Sequence, residues 1–153
     1  MRVYADTSVF GGVFDEEFCE LSQLFFEQVR EGTFVLVSSA VVQAEIEGAP
    51  LRVRQLFAER LGQAELLDIT AEALTLRDAY LKAEIVSSQF ANDALHVALA
   101  TVAQCELIVS WNFKHIVHFD KISLYNAVNT LKGFSKIAIF SPAEVVRYEN
   151  EEI

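Results

Sequence analysis

Val3-Tyr4-Ala5-Asp6-Thr7-Ser8-Val9-Phe10 is the stretch on which the reading of this chain turns. Arg2 to Ala5 is short, β-branched and aromatic, the composition of a buried strand. Asp6 closes it with a carboxylate, and Gly11-Gly12 interrupts any helix begun at Thr7. Working outward, the same alternation recurs. Further strands are expected over 33–37, 66–69, 107–110 and 136–140. Between them lies helical spacing. Glu16 to Glu31 carries Phe18, Leu21, Leu24, Phe25 and Val29 on one side and meets Gly32 as a stop. Ser38 or Ser39 caps a short helix through Val41-Val42-Gln43-Ala44-Glu45-Ile46. Pro50 and Gly62 bracket another, Thr70 caps one running to about Ile85, and Asn92 caps one ending near Gln104. Lys121 to Leu131 is helical, with Gly133 after it, and Ser141-Pro142-Ala143-Glu144 combines a capping box with proline at the first helical position. Strands alternating with helices predict an α/β domain with a mainly parallel sheet. No repeat or linker divides the chain, so a single domain is expected over residues 1–153.

The totals narrow the function. A chain of 153 residues, 52% apolar and holding 12 Phe, can bury a core without staples. No stretch reaches the ~18 uninterrupted apolar residues of a membrane span. An acid at position 6 comes too early for a signal peptide. Cys19 and Cys105 fit no metal-ligand spacing and read as two reduced thiols, so a cytoplasmic protein is expected. The net charge of −10, from 22 acidic against 12 basic residues, argues against broad adhesion to nucleic acid. It leaves room for a small site that grips phosphate, and it suits a basic protein partner.

Three acids stand out from the other 19 of the 22 because each sits at the margin of an apolar stretch. Asp6 ends a strand, where parallel sheets bind ligands beyond the carboxyl ends of their strands. Glu45 projects between Val41 and Val42 at about 100° per residue, whereas Glu47 falls beside Gln43 on the solvent side. Asp93 opens Ala94-Leu95-His96-Val97-Ala98-Leu99-Ala100, a segment apolar almost all round, and shares a face with His96 one turn on. Taken singly, each has an ordinary reading: a surface glutamate, an acid complementing a helix dipole, a hydrogen-bonded core histidine. Chain geometry nevertheless proposes a cluster of Asp6, Glu45, Asp93 and Asn112, the last at the next strand end, Ser110-Trp111-Asn112. Carboxylates ~4 Å apart repel by about 4 kcal/mol at an effective dielectric of 20, so three would gather only around a cation. Hard oxygen donors without paired Cys or His favour Mg²⁺ or Mn²⁺.

The opening Val3 to Phe10, the Glu45 helix, the segment Asn92 to Ala100 and Ser110-Trp111-Asn112-Phe113-Lys114-His115 together resemble a PIN domain, in particular the VapC-like toxins of type II toxin–antitoxin pairs. The resemblance spans nearly the whole chain. It implies a three-layer α/β/α sandwich and a Mg²⁺- or Mn²⁺-dependent endoribonuclease that leaves a 5′-phosphate and a 3′-hydroxyl. It puts Asp6, Glu45 and Asp93 at the metal-binding and catalytic acids and Asn112 at a fourth position that is acidic in many members, a departure that removes a charge. Asp120 lies further along as a possible substitute. Thr7, Ser8, His96, Lys114 and His115 become candidates for substrate contact, with Arg52 and Arg54 as further cations. The resemblance also implies an RNA substrate, an antitoxin whose tail crosses the site, and a homodimer, with no membrane. The alternative is a catalytically weak or inactive PIN-like module that binds RNA or protein. Phosphatases of the haloacid-dehalogenase type fare worse, because Ser8 stands where their second aspartate belongs. Response-regulator receivers do too, because Ser141-Pro142 follows the last strand instead of lysine.

Overall fold

Five parallel strands form the central sheet of the computed structural model, which describes residues 1–148. They are β1 (Arg2–Ala5), β2 (Val35–Ser39), β3 (Glu65–Leu67), β4 (Leu107–Val109) and β5 (Ala138–Phe140), in the order β3-β2-β1-β4-β5. In register, Tyr4 lies between Val37 and Ile108, and Val3 between Leu36 and Leu107. All of these residues are buried, which is why the strands read as continuous apolar runs.

Among the described residues eight α-helices connect and cover the strands: α1 (Thr7–Gly12), α2 (Cys19–Arg30), α3 (Ala40–Glu47), α4 (Leu51–Leu61), α5 (Ala71–Lys82), α6 (Ala91–Val102), α7 (Phe119–Leu131) and α8 (Pro142–Val145). The chain steps outward from β1 to β2 to β3, then returns to the other side of β1 for β4 and β5. Right-handed crossovers therefore place α1 to α4 on one face of the sheet and α5 to α7 on the other. The packing agrees: α1 touches α2, α3 and α4, while α5 touches α6 and α7. The expected α/β architecture with a parallel, PIN-like sheet is the one observed. Phenylalanine fills the first layer, with Phe10 against Phe26 and Phe57, and Phe25 against Phe34. Tyr80 meets Tyr125 edge-on in the second.

Three local expectations change. Gly11 and Gly12 do not stop a helix; they complete α1. Gly12 is there because a Cβ on it would stand 2.5 Å from Ser22 Oγ and 2.8 Å from Trp111 Nε1. Asn92 is not a cap but lies inside α6, because a 3₁₀ turn over Ser88–Phe90 leads directly into the helix and starts it two residues earlier, at Ala91. Helix α5 stops at Lys82 rather than near Ile85 because Glu84 turns left-handed at φ 59°, without the glycine that would signal such an end. The capping box at Ser141 and Glu144 forms as expected, with Pro142 at the start of α8.

Candidate active site

The strand order reverses between β1 and β4, and Asp6 and Ser110 follow the carboxyl ends of those two neighbours. This is the switch point at which open parallel sheets leave a crevice. Asp6 is 4% exposed and caps α1. Its Oδ1 accepts from the Ser8 amide at 3.1 Å and the Ser8 hydroxyl at 2.5 Å, and its Oδ2 accepts from the Ser110 hydroxyl at 2.6 Å. Burial pushes its pKa up; the charge of His96 and the two hydroxyls oppose that shift without reversing it, and the negative charge of Glu45 adds to it.

A second set of bonds runs beside the first. Ser39 Oγ and Tyr4 OH are 2.7 Å apart, Tyr4 OH and His96 Nδ1 2.7 Å, and His96 Nε2 and Glu45 Oε1 2.6 Å. Thr7 donates to the same Glu45 oxygen at 2.9 Å. An ionised carboxylate only accepts, so Nε2 of His96 carries a proton and donates it. Burial holds the Tyr4 phenol strongly in its protonated form, and Ser39, Tyr4 and His96 make one continuous line of hydrogen bonds that ends on Glu45. Burial works against ionisation of Glu45, but the bond and charge of His96 and the Thr7 hydroxyl outweigh it, and its pKa falls below the ordinary value. Its side chain is 32% exposed, and among the described residues Oε2 has no hydrogen-bond partner.

The candidates from sequence thus divide. Asp6 and Glu45 share an electrostatic environment, joined by His96. Asp93 is in the first turn of α6, partly exposed, and its charge bears on His115 and Tyr125 instead. Asn112 turns its side-chain oxygen to the His115 amide at 3.0 Å and closes its own loop. Asp120 is exposed in the first turn of α7. Among the described residues, no group of three or more His, Cys, Asp or Glu is disposed to hold a metal ion. His96 and Thr7 both bind Oε1 of Glu45 and leave Oε2 free, while both oxygens of Asp6 accept hydroxyls.

Thr7, Ser8 and His96, expected at the substrate, each hydrogen-bond to one of the acids. His96 is 1% exposed with both ring nitrogens engaged. Lys114 is exposed, and His115 stacks on Phe90 with ring centroids 3.9 Å apart. Arg52 lies over the Phe14 ring, and Arg54 donates to the Ala49 carbonyl. The sequence reading missed Tyr4 and Ser39 as members of the site. One signal was present: Tyr4 on the strand and Asp6 just past its end are two residues apart in extended backbone and so point to the same side.

No family model matches the sequence, and no curated protein matches it. Solved structures share the fold. One is the crystal structure of VapBC2 from Rickettsia felis bound to a DNA fragment from their promoter, with TM-score 0.57 and 14% identity over 91% of this chain and 97% of that one. Another is FitAcB from Neisseria gonorrhoeae, with TM-score 0.56 and 15% identity over 94% of this chain and 99% of that one.

Proposed function

We propose that this chain is a ribonuclease that hydrolyses phosphodiester bonds, the toxin of a toxin–antitoxin pair. The observation that carries the reading is the line Ser39–Tyr4–His96–Glu45, which ends in a half-exposed carboxylate beside Asp6 at the sheet's switch point. Buried polar chains of this kind are costly to assemble, and this one ends on Oε1 of Glu45, leaving Oε2 of the same carboxylate free. Glu45 is ionised at neutral pH and accepts a proton through Oε2. A water held there loses that proton as its oxygen attacks phosphorus, and the departing ribose oxygen is protonated from solvent. Thr7 and His96 fix the carboxylate, so little reorganisation accompanies the step. Asp6 holds Ser8 and Ser110, which shape the floor of the crevice.

The fold shared with chains of two toxin–antitoxin complexes supports the biological role and an antitoxin partner. The net charge of −10 favours a basic segment in that partner. No helix among the described residues is long and apolar enough to cross a membrane. The test uses purified chain and a panel of structured and unstructured RNAs, with and without Mg²⁺ or Mn²⁺. Cleavage by the natural chain and a loss of at least about 100-fold in Glu45→Gln are expected, the scale of a positioned general base. An undiminished rate in Glu45→Gln would reject the role of Glu45, and a folded chain that cleaves nothing under either condition would point to the inactive binding module.

A further inference from the structure

The loop that follows β4 is tied to the acids by the same hydroxyls that hold Asp6. Ser8 Oγ accepts from the Trp111 amide at 2.8 Å, and Ser110 Oγ accepts from the Asn112 amide at 2.9 Å. Asn112 then closes the loop, receiving His115 N on its side chain and Val117 N on its carbonyl. The loop therefore has one position relative to the crevice.

What it carries is an aromatic step. Trp111 is buried, stacked on Phe18 at 4.2 Å between centroids, and its indole N–H donates to Ser22 at 2.8 Å. Phe113 leans on both, with centroids 6.1 Å from Trp111 and 6.2 Å from Phe18, yet it stays 47% exposed. A large ring left half in water on a braced support is a ready face for another flat group. The next residue, Lys114, is an exposed cation that makes no ion pair among the described residues, in a chain with ten more acids than bases. His115 follows, flat against Phe90, with burial and the charges of Lys114 and Lys121 holding its ring neutral at pH 7 although Asp93 pulls the other way.

We infer that Phe113 is a stacking platform for an unpaired nucleobase at the crevice, with Lys114 taking the adjoining phosphate. This rests on the ribonuclease reading and adds a residue that holds its substrate. Aromatic rings recognise any exposed base by its face, and bases inside a duplex have none to offer.

The experiment measures anisotropy of a labelled six-nucleotide single-stranded RNA binding to the full chain carrying Glu45→Gln, with and without Phe113→Ala or Phe113→Tyr. Phe113→Ala is expected to weaken binding by about ten-fold, and Phe113→Tyr to retain it. A blunt RNA duplex of the same sequence should bind weakly and equally to all three. Fluorescence of Trp111, the single tryptophan, confirms that each variant is folded. Cleavage by chains that keep Glu45 separates the two readings. If the natural chain cuts RNA and Phe113→Ala cuts single strands equally well, the platform is refuted while the ribonuclease stands. If nothing is cut but binding still depends on Phe113, the platform holds and the ribonuclease falls. Loss of affinity for a basic peptide, but not for RNA, on Phe113→Ala would also overturn the inference and assign the ring to a protein contact.

Discussion

Asp6 and Glu45 lie in one site, yet their proton affinities move in opposite directions, because Asp6 is sealed from water while Glu45 faces a hydrogen-bonded imidazole at the rim. The signs give separate consequences for stability. Asp6 has a folded-state pKa above its ordinary 3.8, so below that pH both states are protonated and the burial of charge costs nothing. The penalty grows as pH rises through the raised value. Asp6→Asn is therefore expected to raise the melting temperature at pH 7 by a few degrees, about 1 kcal/mol in a domain of this size, and to make little difference at pH 3.5. Glu45 behaves the other way: its stabilisation is complete above the ordinary 4.5 and is lost as pH falls through the lowered folded value. Glu45→Gln should cost about 1 kcal/mol at pH 7, discounted for partial exposure, and nothing in acid. Thermal melts of both variants across pH check the pair. Helical phase alone separated Glu45 from Glu47, and the structure agrees, with Glu47 in solvent. The position of Asp93 was not legible, because one turn of a helix near a loop decides which way its carboxylate points.

Elements show where sequence signals run out. Strands and long helices announced themselves through apolar runs and periodicity, and the box at Ser141 through its residue types. Helix α1 did not, since a glycine pair weakens a helix on propensity, and its reason lies across the fold at Ser22 and Trp111. Gly12→Ala is expected to destabilise the chain by about 1–3 kcal/mol, despite the better helix propensity of alanine, because the added methyl meets a braced indole. Chemical denaturation, with Trp111 emission as the probe, measures both the loss and the displacement of the ring. Unchanged or improved stability would show that the contact with α1 is looser than the geometry indicates.

For the whole molecule, charge and sheet shape set how partners approach. A basic nucleic-acid binder with 6–10 phosphate contacts loses roughly 10³–10⁵ in affinity between 50 and 200 mM salt. Among the described residues Lys114 is the unpaired cation on the loop beside the crevice, in a chain of net charge −10, and one contact corresponds to roughly a three-fold loss over that range. A shallow salt slope in RNA binding is therefore expected, and a steep one would reveal a cationic surface elsewhere. The sheet imposes a further restriction. Its two outer strands, β3 and β5, are three residues each, and Glu65 on β3 is held by Arg2 in a salt bridge at 2.8 Å. Margins this short offer an incoming peptide only a rung or two of backbone pairing. Any protein that grips this chain tightly must consequently seat itself on helices and on the loops above the crevice, where side chains rather than main chain decide who is admitted.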